Sequence, residues 1–132
     1  IAAETVLAPG EILTHVSVSP TSSCHRSIFL KARERQTQDF ALVSIAVAIE
    51  LSDGVVRDAR ITLGGVAPVP LRVPDAEKAL EGNPVAEVDA RSIGDLAVRG
   101  AQPLKDNHFK VPLTASLVSR AVAALVGAVP RI

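Results

Sequence analysis

The stretch Ala41–Leu63, "ALVSIAVAIELSDGVVRDARITL", decides the fold. Its first half alternates large apolar side chains with small or polar ones, which is the two-residue period of a β-strand. Asp53-Gly54 then carries the signal of a tight hairpin turn, because the central positions of such a turn favour positive φ. We therefore predict an antiparallel hairpin with strands near residues 41–51 and 55–63.

The two faces of this predicted hairpin differ in side-chain size. The core face of its first strand carries Val43, Ile45, Val47, Ile49 and Leu51. The opposite face carries Ser44, Ala46, Ala48 and Glu50. These side chains are mostly small and only partly polar, so another domain could lie close against this face. In the second strand the inward positions are Val55, Ala59, Ile61 and Leu63, and the outward ones are Asp58, Arg60 and Thr62.

Alternation also predicts strands over Glu11–Ser19 and Ser27–Arg33. After the hairpin, the Gly- and Pro-rich passage "GGVAPVPLRVP" is expected to end the sheet. The period then becomes helical, and its start and stop signals predict helices near residues 74–81, 86–99 and 112–128. Strands followed by helices indicate an α+β fold, with an antiparallel sheet of three to four strands and three helices on one face. We expect residues 1–132 to form one domain.

Composition excludes several classes of function. Lysine plus arginine total 14 and aspartate plus glutamate also total 14, so no net charge draws the chain to nucleic acid or anionic lipid. Only 2% of residues are aromatic, which leaves few stacking platforms for single-stranded nucleic acid. We expect no nucleic-acid partner. The first residues lack a basic region followed by an apolar run, so no signal peptide is visible in this sequence.

The apolar stretch Val111–Val129 approaches the length of a membrane span. Its hydroxyl residues and Arg120 would be costly in lipid, so a buried core helix is the better interpretation, and we expect no membrane partner. Cys24 and His25 lack the further ligands that a zinc site needs, and we expect no metal. No phosphate loop or nucleophile elbow is present, so the isolated chain is not expected to be catalytic.

Charge concentrates in the segment Lys31–Asp39, "KARERQTQD", between two apolar stretches. A hairpin of this kind needs only two to five residues, and it favours Gly or Asn, which this segment lacks. Lys31 and Arg33 point to the same side if the strand before the segment continues to its end. The segment is either a solvated loop or a device that presents cations to a ligand, and both readings stay open on these residues alone.

Four stretches resemble the C-terminal domain of the FAD-binding subunit of molybdenum hydroxylases, the family of xanthine dehydrogenase, carbon monoxide dehydrogenase and aldehyde oxidoreductase. They are "FLKARERQTQDFALVSIAVAIEL", "ARITLGGVAPVPLR", "AEKALEG" and "DNHFKVPLTASLVSRAVAAL". The resemblance runs in order from about Glu11 to the end, and "DNHFKVPL" is most similar to the bacterial aldehyde or xanthine oxidoreductase branch. Leu71 departs from it, since many relatives have an aromatic residue there.

This resemblance implies a role in electron transfer. Electrons in the family pass from a molybdopterin centre through two 2Fe-2S clusters to FAD and then to an acceptor. The implied partners are the N-terminal FAD-binding lobe of the same subunit, a molybdopterin-binding large subunit and an iron–sulfur small subunit. The Gly-rich segments that hold the FAD diphosphate belong to the N-terminal lobes. The parent enzyme would be cytoplasmic, with the periplasm also possible.

The resemblance also assigns candidate cofactor-binding residues. Lys31 aligns with a lysine near the flavin ring, and Arg33, Arg35 and Asp39 fall on the charged stretch that begins there. A cation about 4 Å from a reduced, anionic flavin contributes roughly 4 kcal/mol before desolvation, at an effective dielectric constant near 20. The alternative is a stand-alone interaction module that uses the small face around Ala46 for assembly. A membrane-anchored protein is a third reading.

Overall fold

The computed structural model describes residues 6–17, 25–35 and 39–127. The turn at Asp53-Gly54 joins the two longest strands of its four-stranded antiparallel sheet. Both turn residues have positive φ, 53° and 74°, as a tight hairpin requires. The predicted hairpin is confirmed. The strands, in their order across the sheet, are β1 (His25–Ala32), β2 (Val43–Ser52), β3 (Val55–Gly64) and β4 (Leu71–Arg72).

A β-bulge changes which valine of β3 enters the core. Glu50 lies opposite Asp58 and Leu51 opposite Val56, so the register shifts by one residue between the two pairs. Val56 is consequently fully buried, whereas Val55 is only half-buried. The prediction that Val55 faces inward was therefore wrong, because a bulge re-aims the side chains on one side of it.

Three helices follow the sheet, as predicted. They are α1 (Pro74–Leu80), α2 (Ala90–Ala97) and α3 (Lys110–Gly127). The predicted helix over residues 86–99 begins too early, since the chain first makes a short 3₁₀ turn at Val85–Glu87. Asp89 sets the true start: its carboxylate accepts hydrogen bonds from the Arg91 backbone N–H at 3.0 Å and from the Ser92 hydroxyl at 2.5 Å. These are the contacts of a helix N-cap.

The helices cover one face of the sheet and leave the other face open. α3 packs against β1 and β2, and α2 packs against α3. The two helices cross closely at Gly94, where a Cβ atom would stand 2.4 Å from the Ala115 carbonyl oxygen. The core between sheet and helices consists of Val43, Ile45, Val47, Ile49, Val56, Ala59, Ile61, Leu63, Ala76, Leu80, Ile93, Ala97, Leu117, Val118, Ala121, Val122 and Leu125.

Helix α1 protects the outer edge of β3 with its carboxylates. The Glu77 carboxylate, almost fully buried, accepts hydrogen bonds from the Ile61 backbone N–H at 2.9 Å and from Arg72 Nε at 3.0 Å. Glu81 accepts from the Ala59 backbone N–H at 3.3 Å. The hydrogen bonding of the Arg72 guanidinium to the Glu77 carboxylate raises the pKa of Arg72 above its ordinary value. Side chains thus satisfy edge donors that the two-residue strand β4 does not reach.

Two predictions about which residues belong to the sheet were wrong. Residues 11–17 form no strand and are exposed, while the rest of the predicted strand Glu11–Ser19 lies outside the described residues. The sheet does not end at Gly64: the chain turns at Gly65, whose φ is 74°, and returns as β4. Short pairing of this kind survives the prolines because none falls on the paired residues Leu71 and Arg72.

The long helix α3 is apolar enough, by length and composition, to cross a membrane. In this fold one side of α3 is buried in the core, through Thr114, Leu117, Val118, Ala121, Val122 and Leu125. Arg120 lies on its exposed side. This packing is that of a core helix, as the sequence predicted.

Candidate functional site

A groove of about 390 Å³ lies at one end of the open sheet face. Its lining residues come from β1, from the start of β2 and from the segment between them. They are Phe29, Lys31, Asp39, Phe40, Ala41 and Ser44. We refer to this site as the groove.

The pleat of β1 places the first two lining residues. Phe29 and Lys31 alternate with Ile28 and Leu30, which pack against the core, so they project from the open face. Lys31 lies opposite Ser44 in the β1–β2 register. Phe29 is 63% exposed, because it lies on the face of β1 that the helices do not cover.

Lys31 ties the two ends of the charged segment together. Its Nζ donates a hydrogen bond to the backbone carbonyl of Asp39, eight residues later. Beside it, the Leu42 backbone N–H donates to the Ala32 carbonyl at 2.9 Å and closes the base of the segment. The Asp39 carboxylate accepts from the Phe40 backbone N–H at 2.8 Å. The Lys31 ammonium group therefore lies at the groove wall, beside the end of the charged segment.

The structure separates the four predicted site residues into two pairs. Lys31 and Asp39 come together and line the groove. Arg33 and Arg35 are exposed and lie outside the groove lining. The expectation that the strand continues through Arg33 was wrong, because β1 ends at Ala32. The alternation rule consequently fixes the direction of Lys31 but not that of Arg33.

Sequence reasoning missed the aromatic part of the groove. Phe40 is 94% exposed at the end of the charged segment, and it lines the groove with Phe29. The signal was present, since Phe29 shares a strand face with Lys31 and Phe40 is the one aromatic residue next to the charged stretch. Two aromatic side chains beside the small residues Ala41 and Ser44 suit a planar aromatic ligand, and Lys31 and Asp39 supply one charge of each sign at its edge.

A second cavity, of about 340 Å³, lies on the helix side between the β3–β4 connection and the start of α3. Its one lysine, Lys110, donates to the Gly65 carbonyl at 2.8 Å. Asn107, which also lines this cavity, has a buried side-chain oxygen without a hydrogen-bond partner. Within residues 6–17, 25–35 and 39–127, no group of three or more His, Cys, Asp or Glu side chains could hold a metal ion. We take the groove as the candidate site because two of the four predicted site residues, Lys31 and Asp39, line it.

The comparison with protein families decides the family. Residues 28–125 match the model described as the CO dehydrogenase flavoprotein C-terminal domain. The chain belongs to this family. The matched range begins within β1, includes β2 to β4 and the whole groove, and ends within α3.

Individual relatives are longer proteins. The chain is 33% identical over 120 residues to the FAD-binding subunit of an aldehyde oxidoreductase from Escherichia coli, which is 91% of this chain and 34% of the relative. It is 28% identical over 99 residues to the medium chain of glyceraldehyde dehydrogenase from Sulfolobus acidocaldarius, which is 75% of this chain and 34% of that one. The chain thus spans about a third of the length of these relatives.

Solved structures of the family share the fold. A chain of carbon monoxide dehydrogenase from Hydrogenophaga pseudoflava superposes with a TM-score of 0.73 at 29% identity, covering 81% of this chain and 38% of that chain. A chain of a Cu,Mo-CO dehydrogenase in its cyanide-inactivated form gives a TM-score of 0.69 at 26% identity, with coverages of 83% and 39%. The family resemblance and the α+β fold expected from the sequence are both confirmed.

Proposed function

We propose that the chain is the C-terminal domain of the FAD-binding subunit of a molybdenum-containing hydroxylase. In this role it flanks the flavin and supports electron transfer from 2Fe-2S clusters through FAD to an acceptor. The observation that carries the proposal is the groove, where the Lys31 ammonium stands beside two exposed aromatic side chains. The comparison with known proteins supports this proposal, because the E. coli relative is named as an FAD-binding subunit.

The groove fits the edge of a flavin ring but not the whole cofactor. Its volume of about 390 Å³ lies near the lower end of the range for small-molecule pockets, roughly 300–1,000 Å³. A dinucleotide needs a long site with backbone donors for its diphosphate, which is more than a groove of this size accommodates. The proposed arrangement has this chain forming one wall, with the N-terminal lobe of the subunit forming the others. FAD, when bound, supplies the redox chemistry.

Lys31 has a defined task in this proposal. Its ammonium places a positive charge at the groove wall, which favours negative charge on a ring held there and is partly offset by the Asp39 carboxylate in the same lining. The backbone carbonyl of Asp39 positions that charge. Arg33 and Arg35, exposed beyond the end of β1, are proposed to attract an anionic acceptor toward the groove.

The partners and location follow from the same proposal. The small residues Ser44, Ala46 and Ala48 on the open face suit close packing of the N-terminal FAD-binding lobe. A molybdopterin-binding large subunit and an iron–sulfur small subunit complete the proposed assembly. We propose a cytoplasmic location, with the periplasm as the alternative for the parent enzyme. The open face also supports the second candidate, an assembly module without redox activity, which predicts normal flavin behaviour in every groove variant.

The test compares Lys31→Ala with Lys78→Ala in the full-length subunit assembled with its partners. Lys78 is an exposed lysine on α1, away from the groove, and serves as the matched control. Rapid mixing then measures the reductive and oxidative half-reactions separately. Lys31→Ala should slow flavin reoxidation or shift the flavin potential while substrate hydroxylation is unchanged. Unchanged flavin kinetics and potential in both Lys31→Ala and Arg35→Ala would overturn the proposal.

A further inference from the structure

The cavity of about 340 Å³ on the helix side of the sheet is bounded by three segments of the chain. Val66 comes from the β3–β4 connection, Ala97 and Val98 come from the end of α2, and Val111 comes from the start of α3. Its volume lies within the range of small-molecule sites, roughly 300–1,000 Å³. Apolar side chains form most of its wall. We call it the helix-side cavity.

The lining of the helix-side cavity carries charge of one sign. Among the described residues that line it, Lys110 is the one charged side chain, whereas in the groove Lys31 shares the lining with Asp39. Lys110 Nζ donates to the Gly65 carbonyl at 2.8 Å. An ammonium group carries three N–H donors, so two are left for a ligand after this bond. A cleft with apolar walls and charge of one sign attracts a counter-ion, and the cavity therefore favours an anion.

The backbone at the start of α3 argues against a phosphate in this cavity. The backbone N–H groups of Lys110, Val111 and Leu113 donate to carbonyls of residues 107–109 at 3.0, 3.2 and 3.3 Å. Pro112, between them, has no N–H to offer. Phosphate sites at helix starts use backbone N–H donors of this kind, which α3 has already committed. A ligand that carries a single negative charge suits the cavity better.

Asn107 supplies a second polar group to the cavity. Its side-chain oxygen is buried and has no hydrogen-bond partner, and the residue lies in the same lining as Lys110. A buried acceptor in this state is unfavourable, because it has lost its water and gained no donor. The amide can consequently turn without breaking a hydrogen bond, and its NH2 group then becomes a donor to a ligand held at Lys110.

We propose that the helix-side cavity binds a small monocarboxylate that has an apolar ring or short chain. The carboxylate lies at Lys110 Nζ and accepts a further hydrogen bond from the Asn107 amide. The apolar body packs against Val66, Val98 and Val111. Such a ligand contacts the β3–β4 connection and the helix layer together, so its binding stabilises the folded chain. The proposal does not rest on the proposed function, because the described lining residues of the cavity and of the groove do not overlap.

Three probe molecules separate the two halves of this recognition. Benzoate has both the ring and the charge, benzamide keeps the ring without the charge, and acetate keeps the charge without the ring. Titrations of the ¹⁵N-labelled chain followed by NMR should show saturable benzoate binding, with shifts concentrated at the amides of Val66, Val98 and Val111. Benzamide and acetate should each bind at least about tenfold more weakly, since each lacks one of the two contacts. Benzoate should also raise the melting temperature of the full-length subunit.

Several results would overturn the proposal. Benzamide binding as tightly as benzoate would show that the cavity does not recognise the charge. Acetate binding as tightly as benzoate would mean only an ion at a surface lysine. Absence of saturable benzoate binding, or shifts concentrated away from the cavity, would exclude the site. Benzoate binding to the 132-residue chain but not to the full-length subunit would show that other parts of the subunit fill the cavity, and the proposal would fail.

Substitutions on the cavity wall provide an independent test. Lys110→Gln removes the charge and should weaken benzoate binding at least about tenfold, whereas Lys110→Arg keeps the charge and should retain most of the affinity. Ala101→Phe should abolish binding by filling the cavity, and because Ala101 is an exposed lining residue the change leaves the core intact. Lys105→Ala is the matched control, since Lys105 is exposed and lies outside the described lining. Unchanged benzoate affinity in either Lys110→Gln or Ala101→Phe would refute the proposed site.

Discussion

The two faces of the same sheet have opposite roles. On β1, Ile28, Leu30 and Ala32 pack against the core, while Phe29 and Lys31 project from the open face. Because neighbouring residues of a strand point to opposite sides, one short stretch of sequence specifies both surfaces. The covered face holds the fold together, and the open face can vary at little cost in stability. A site on the open face is therefore free to be shaped by a ligand or a neighbouring domain.

The sharpest form of this comparison uses adjacent residues of β3. Ile61 is fully buried against the helices, and Thr62 lies on the open face. Ile61→Ala should lower the free energy of unfolding by about 2–5 kcal/mol, from lost burial and an unfilled cavity. Thr62→Ala should lower it by about 1 kcal/mol or less, the range of strand propensity. Urea unfolding of both variants measures the difference, and equal losses would show that the open face also carries the fold.

Sequence predicted the covered face better than the details at its edges. The hairpin was readable because Asp53-Gly54 is a strong local signal between two alternating stretches. The bulge at Glu50–Leu51 was not, since the alternation rule assumes an unbroken register between the two strands. Residues 11–17 were mistaken for a strand of this sheet because periodicity indicates a tendency to pair but does not identify the partner.

The helix layer on the covered side tolerates little added volume. Gly94→Ala would place its Cβ 2.2 Å from the Ser119 hydroxyl and 2.4 Å from the Ala115 carbonyl. Overpacking of this kind costs about 1–3 kcal/mol and should outweigh the better helix propensity of alanine. Gly100→Ala is the matched control, because nothing lies within 4 Å of its added Cβ. Chemical denaturation of both variants checks the expectation, which fails if Gly94→Ala is as stable as Gly100→Ala.

The sequence predicted only part of the groove. Lys31 could be placed on the open face by alternation, and the family resemblance singled it out. Its bond to the Asp39 carbonyl could not be foreseen, because a backbone acceptor eight residues away leaves no mark in the sequence. Phe40 was overlooked since a single aromatic beside a charged stretch resembles an isolated surface residue.

Exposed charged residues also differ in role. Asp89 has a structural role, because its carboxylate caps the start of α2. Hydrogen bonds from Ser92 and from the Arg91 backbone lower the pKa of its carboxyl below the ordinary value. A lowered folded-state pKa means that the stabilisation is fully present above the unfolded-state pKa, about 4, and is lost as the pH falls through the folded value. Asp89→Ala should therefore reduce the melting temperature at pH 7.

The same change should matter progressively less below pH 4, once the wild-type carboxyl is protonated in both states. Thermal melts of wild type and Asp89→Ala from pH 7 to pH 2 measure the gap between them, which removes the contribution of carboxyls common to both. A gap that stays constant or widens toward low pH would contradict the capping role.

Lys31 represents the other kind of exposed charge, and its removal should have the smallest effect on stability. Its bond to the Asp39 carbonyl is at the surface, where such interactions contribute less than about 1 kcal/mol. Lys31→Ala and the control Lys78→Ala should therefore unfold at nearly the same urea concentration.

The local consequence of the two substitutions is different, because Lys31, unlike Lys78, bonds to the other end of the charged segment. Limited trypsin digestion followed by mass spectrometry should show faster cleavage after Arg35 in Lys31→Ala than in Lys78→Ala. Equal cleavage rates would mean that the Leu42–Ala32 hydrogen bond alone organises the segment. A large loss of stability would instead place Lys31 with the residues that hold the fold and would remove the distinction between the two faces.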